Sequence, residues 1–146
     1  MNKVLFTFLA LFFSGTALWA QEELTWKDFA DVEFKPQYFE QYDAHFLMPS
    51  FGETIKTKTG KKIAIKGYFL DISGNGEVFL VSKNPMAACF FCGGAGPETI
   101  IEVVFKEKPS FKTDQVVTVE GVLQLNATNV ERCNYILNDA TGVLVN

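Results

Sequence analysis

The chain has 146 residues, enough for one domain of ordinary size, which excludes a large multidomain enzyme. Hydrophobic residues make up 48% and charged residues 21%, a balance that excludes a disordered chain and predicts a globular one. The formal net charge is −4, which argues against electrostatic binding of nucleic acid.

The first 20 residues have the pattern of a cleaved secretion signal. Lys3 supplies a positive start, residues 4–13 are apolar except for Thr7, and Ala17 and Ala20 precede the acidic pair Glu22 and Glu23. The apolar run is shorter than the roughly 20 residues that a bilayer requires. We therefore expect cleavage after about Ala20, with Ala17 as the alternative, export to the periplasm and no membrane span in the mature protein. Loss of Lys3 would leave 12 basic against 17 acidic residues, a net charge of −5.

Residues 21–60 are predicted to form an N-terminal helix and a lead segment. Thr25 and Asp28 have the spacing of a capping box, which predicts a helix of about two turns. The stretch 34–51 is aromatic and irregular, and its two prolines limit any helix there. We expect this lead segment to pack on the main domain.

In residues 61–146, turn residues separate short β-branched and aromatic runs, which is typical of a small barrel or sandwich. Five strands are predicted, over 61–70, 77–83, 99–106, 115–124 and 134–138. Gly67 and Gly121 lie inside the first and fourth strands, where glycine permits the bending that a closed barrel requires. The predicted fold class is therefore mostly β, a small five-stranded barrel, with a small β-sandwich as the alternative.

The fourth and fifth strands resemble the last two strands of exported OB-fold domains. The resemblance is carried by the run Val-Thr-Val-Glu-Gly-Val-Leu at 117–123 and by Tyr-Ile-Leu at 135–137, and it covers about 61–140. It implies an OB-like order in which the third and fifth strands run parallel. The helix usual between the third and fourth strands is replaced by segment 107–114, which is too short and too proline-interrupted for a stable helix.

The long loop between the second and third strands carries two cysteines at C-x-x-C spacing, Cys89 and Cys92, followed by two glycines. Two thiolates at this spacing can converge on one metal ion, and the following glycine lets backbone amides turn towards sulfur. The pair could equally form a structural disulfide, which an oxidising compartment favours. A redox-active pair is disfavoured because residues 93–97 are a poor start for the helix that lowers a thiol pKa. Attachment of a c-type haem would require histidine where Gly93 stands.

Two further residues could complete a metal site. Parallel third and fifth strands would bring the loops that precede them to one end of the barrel, and Cys133 with them to the loop cysteines. His45, the single histidine, could then complete a Cys3His set suited to zinc. Alternatively, a thioether from Met86 or Met48 would favour monovalent copper. The predicted metal ligands are Cys89, Cys92, Cys133 and His45. The ion would be zinc or copper, and no residue is predicted to be catalytic.

The loop 86–98, with 61–70 upstream of it, resembles a family of small exported bacterial proteins of uncharacterised function, some of which accompany metal-uptake systems. We therefore expect an exported, non-enzymatic β-barrel that binds a metal ion, for metal handling or as a metal-stabilised interaction module. The alternative is a disulfide-stapled module that binds a protein of the envelope through its acidic barrel surface and the loop that contains Phe90 and Phe91, and a thiol oxidoreductase ranks third. The expected partner is an envelope protein or a metal-transport component, and not nucleic acid.

Overall fold

The computed structural model describes residues 21–145, apart from the side chain of Cys92, and the chain is mostly β. The predicted signal segment lies outside these residues. Within them, no helix is long and apolar enough to cross a membrane. The strands are β1 (Glu22–Glu23), β2 (Val32–Phe39), β3 (Ala44–Phe51), β4 (Lys62–Asp71), β5 (Phe79–Ser82), β6 (Ile100–Phe105), β7 (Val116–Leu125) and β8 (Tyr135–Leu144). The short α-helices are α1 (Trp26–Phe29) and α2 (Glu53–Lys56).

Strands β4 to β8 close into a five-stranded barrel, which confirms the predicted fold class and removes the sandwich alternative. The order is β4-β5-β6-β8-β7, and β7 returns to pair with β4. Strands β6 and β8 run parallel, and the other neighbours are antiparallel, which is the OB-like order. Closure of the barrel pairs the strands that would otherwise be edges of an open sheet.

The last strand is longer than predicted. The fifth strand was predicted to end at residue 138, whereas β8 continues to Leu144. The ladder between β7 and β8 shifts register at Gly121, and Asp139 on the opposite strand has a left-handed φ of 52°. This β-bulge bends the strand and lets the pairing continue beyond it.

Aromatic side chains close both ends of the barrel. At one end, the rings of Phe29 and Tyr135 meet edge-on at 5.0 Å, and the Tyr135 hydroxyl donates a hydrogen bond to the Phe29 carbonyl at 2.7 Å. At the other end, the ring of Phe111 packs 5.5 Å from that of Phe69. Phe111 belongs to the non-helical connection between β6 and β7, so this side chain covers the end where an OB-fold usually places a helix.

The prediction of an irregular lead segment was wrong, because residues 32–51 form a β-hairpin. Strands β2 and β3 pair from Val32 and Phe51 to Phe39 and Ala44. The two prolines of the segment are tolerated because each strand of a two-stranded sheet has an open outer edge. The hairpin is anchored on the barrel through its base, where the Phe51 ring lies 5.4 Å from that of Tyr135.

The helix α1 begins at the predicted capping box. The Asp28 carboxylate accepts hydrogen bonds from the Thr25 backbone N–H at 2.7 Å and from the Thr25 hydroxyl at 2.8 Å. The helix is a single turn instead of the expected two. Its buried residue is Phe29, so the turn serves to insert this ring into the end of the barrel.

Candidate metal site

The cysteine loop between β5 and β6 folds into three short 3-10 turns, Met86–Ala88, Phe90–Cys92 and Pro97–Thr99. The second turn ends at Gly93, which has a left-handed φ of 76° that glycine adopts without steric cost. The Gly94 N–H then donates to the Cys89 carbonyl at 3.2 Å. The backbone therefore reverses around Cys89, and the two glycines after the C-x-x-C pair make that reversal possible.

Cys89 is fully buried in a small apolar cluster that is distinct from the main core. Its buried neighbours in the cluster are Leu70 and Leu80, and three partly buried side chains pack against them. We call these six residues the sulfur cluster: Tyr68, Leu70, Leu80, Met86, Cys89 and Cys133. The cluster gathers three sulfur-containing side chains from two loops that are far apart in the sequence.

Cys133 reaches the sulfur cluster because the segment before β8 lies beside the parallel strand β6. The Glu102 carboxylate on β6 accepts hydrogen bonds from Arg132 Nε at 2.9 Å and from the Cys133 backbone N–H at 3.2 Å. The structure thus places Cys133 at the same cluster as Cys89, where the parallel strand order predicts it.

Asn126 also holds the segment that carries Cys133. This buried amide donates from Nδ2 to the carbonyls of Asn129 at 2.7 Å and Cys133 at 3.1 Å, and its Oδ1 accepts from the Asn129 N–H at 2.9 Å. Sequence reasoning missed Asn126, Glu102 and Arg132 as positioning residues. The available signal was an arginine directly before Cys133 and a glutamate on the outward face of β6.

Burial raises the pKa of the Cys133 thiol to about 12, helped by the Glu102 carboxylate and opposed by the Arg132 guanidinium. Cys133 is therefore a neutral thiol at physiological pH, which makes it a poor nucleophile. A metal ion that uses this sulfur must displace its proton, so binding would release protons to solvent.

His45 lies elsewhere, on the exposed surface of β3, with its ring 5.2 Å from that of Tyr38. Among the side chains that the structure describes, which exclude that of Cys92, no three His, Cys, Asp or Glu residues are grouped closely enough to hold a metal ion. His45 therefore does not converge with Cys89 and Cys133. Met48 is also outside the sulfur cluster, so the thioether of the cluster is that of Met86.

Phe90 and Phe91, between the two loop cysteines, have different surroundings. Their rings meet edge-on at 5.3 Å, but Phe90 is partly buried, whereas 56% of Phe91 is exposed. The loop that carries Cys89 inward thus presents one aromatic ring to solvent.

Comparisons with known proteins do not assign this site. No protein-family model matches the chain, and no match is found among the curated proteins or the solved structures. The geometry and chemistry of the sulfur cluster are therefore the basis for a functional assignment.

Proposed function

We propose that this chain is an exported, non-enzymatic β-barrel protein that binds a metal ion through its C-x-x-C loop and serves in metal handling. The observation that carries the proposal is the sulfur cluster, in which Met86, Cys89 and Cys133 come together from two loops. Cys92 would complete the ligand set from the cysteine loop. The N-terminal pattern of a secretion signal supports export.

The residues at the cluster favour monovalent copper over zinc. Structural zinc sites take four ligands from cysteine, histidine and carboxylates, and the single histidine of this chain lies on the exposed hairpin. Thiol and thioether sulfurs are soft ligands that select monovalent copper.

The test is an anaerobic titration of the reduced protein with monovalent copper, in competition with a chromophoric copper chelator. We expect one equivalent of copper to bind, with release of protons. Cys89→Ser should abolish stoichiometric binding, and Met86→Leu should weaken it. Met48→Leu is the matched control, because Met48 is a thioether outside the cluster. Unchanged metal binding by a folded Cys89→Ser variant would refute the proposal, and a parallel zinc titration decides between the two ions.

A second candidate is a disulfide-stapled module that binds a protein of the envelope. The exposed ring of Phe91 supports it, since an apolar side chain held at a loop tip is a typical contact in protein interfaces. In this case, reduction should lower the unfolding temperature of the purified protein while metal chelators leave it unchanged. The metal proposal predicts that a chelator lowers the unfolding temperature of the reduced, copper-loaded protein, whereas a reductant alone leaves it unchanged. The same two measurements therefore separate the candidates.

A further inference from the structure

An open cleft of about 690 Å³ lies beside β4, where that strand changes neighbours. Strand β1 pairs with β4 at Ile63 and Ala64, and β5 pairs with it from Tyr68 onwards. The cleft occupies the gap between these two pairings and is lined there by residues 65–68. Its volume is in the range of sites that hold small molecules.

Trp26 forms a fixed wall of this cleft. Its Nε1–H donates to the Lys66 carbonyl at 2.9 Å, which satisfies a backbone acceptor within the gap. The ring can lie close to β4 only because residue 67 is glycine, since a Cβ on Gly67 would be 2.9 Å from Trp26 Cζ2 and 2.6 Å from the Ser82 carbonyl oxygen. Tyr68 lines the same cleft. Two aromatic side chains thus line the cleft, and the hydrogen bond to the Lys66 carbonyl fixes the position of the Trp26 ring.

The charged residues of the lining are Lys66, Lys83 and Glu23, a local balance of +1 in a chain whose net charge is −4. In residues 21–145, neither lysine takes part in an ion pair, whereas Lys58 and Lys62 are paired with carboxylates. Both cleft lysines are exposed and so are available to an anion from solvent. The remaining lining is largely apolar and includes Leu24, Val116 and Val145.

We propose that this cleft binds a small organic acid that has a flat apolar ring, such as an aromatic carboxylate. The ring would lie against Trp26 and Tyr68, and the carboxylate would lie between the ammonium groups of Lys66 and Lys83. Charge-assisted contacts of this kind are stronger than neutral hydrogen bonds and give the site its preference for an acid. The proposal does not depend on metal binding, because no sulfur ligand takes part in it.

The experiment compares naphthoate with its neutral analogue naphthalene methanol by isothermal titration calorimetry. The double variant Lys66→Glu/Lys83→Glu should weaken naphthoate binding by about tenfold or more and leave the neutral analogue unchanged. The matched control is Lys61→Glu/Lys112→Glu, which makes the same change in net charge at lysines that do not line the cleft. This control should bind naphthoate as the wild type does.

A second readout locates the ligand. The indole N–H resonance of Trp26, assigned in heteronuclear NMR spectra with the variant Trp26→Phe, should move when naphthoate is added. Three results would overturn the proposal: no binding of naphthoate at millimolar concentration, equal loss of affinity in both double variants, or an unmoved Trp26 resonance with binding abolished by Phe91→Ala. The last result would assign naphthoate to the exposed loop tip instead.

Discussion

The Glu102 carboxylate accepts the backbone N–H of Cys133, a residue 31 positions further along the chain, at 3.2 Å. The same carboxylate pairs with Arg132, so one side chain on β6 contributes to both the position and the electrostatic surroundings of a partly buried thiol. The sulfur cluster is thus held from outside by polar groups that contribute no sulfur. This relationship makes the ionisation of Cys133 a direct test of the site.

Cys133 should be a slow nucleophile in the metal-free protein. Because burial and Glu102 raise the pKa of its thiol to about 12, alkylation at neutral pH should be slower than that of a small-molecule thiol by roughly two orders of magnitude or more. Glu102→Gln removes the negative charge and should speed the reaction, although burial remains. The measurement is alkylation rate against pH, followed by peptide mass spectrometry. Rapid labelling of Cys133 in the folded wild type would contradict the described environment.

The metal-free protein should lose stability as pH rises above 9. The folded state keeps the Cys133 proton up to about pH 12, whereas an unfolded thiol loses it near 9.0, so unfolding releases a proton between these values. The free energy of unfolding should therefore fall by up to about 1.4 kcal/mol per pH unit in this window. Burial also raises the pKa of Tyr135, which acts in the same direction. In urea unfolding experiments, the free energy of unfolding of Cys133→Ser should fall less steeply with pH than that of the wild type. An identical slope for the two proteins would contradict the raised pKa of Cys133.

Tyr135→Phe should destabilise the fold although the ring is retained. The substitution removes the hydrogen bond to the Phe29 carbonyl and leaves a buried acceptor without its partner, at a cost of about 1–3 kcal/mol. Tyr68→Phe is the control, because the Tyr68 hydroxyl makes no hydrogen bond within the described residues and should cost much less. Equal unfolding free energies for the two variants would mean that α1 is not held to the barrel by this bond.

Asn126→Ala should loosen the segment that carries Cys133. The buried amide joins carbonyls and N–H groups of residues 128–133, and its loss should cost about 2 kcal/mol and weaken copper binding. Asn138→Ala is the comparison, since Asn138 donates one exposed hydrogen bond to Gln124. Unfolding curves and copper competition titrations on both variants give the result. If Asn126→Ala is destabilised but its copper affinity is unchanged, the segment that carries Cys133 does not contribute to the metal site.

The five barrel strands and the capping box at α1 could be predicted because each is encoded locally. Alternation of apolar and polar residues has a period of two in a strand, and Thr25 and Asp28 are three residues apart, so both signals are contained in a few consecutive positions. The hairpin of β2 and β3 carries a weaker signal. Residues 32–35 alternate apolar and polar side chains, but Pro36 and Pro49 interrupt the two strands, so the pattern extends over only part of each. The strands form because each finds its partner across the turn.

Strand periodicity and C-x-x-C-G-G are short-range patterns, so the fold class and the importance of the cysteine loop could be predicted from consecutive residues. Which residues meet at that loop depends on the folded chain. In the folded chain, Met86 and not Met48 lies in the sulfur cluster, and His45 lies on an exposed hairpin. Glu102 lies beside Cys133 and accepts a hydrogen bond from its backbone N–H. The tertiary structure also opens the cleft at Trp26, in the gap between two partners of one strand. Such contacts depend on strand order and register, which bring together residues that are tens of positions apart in the chain.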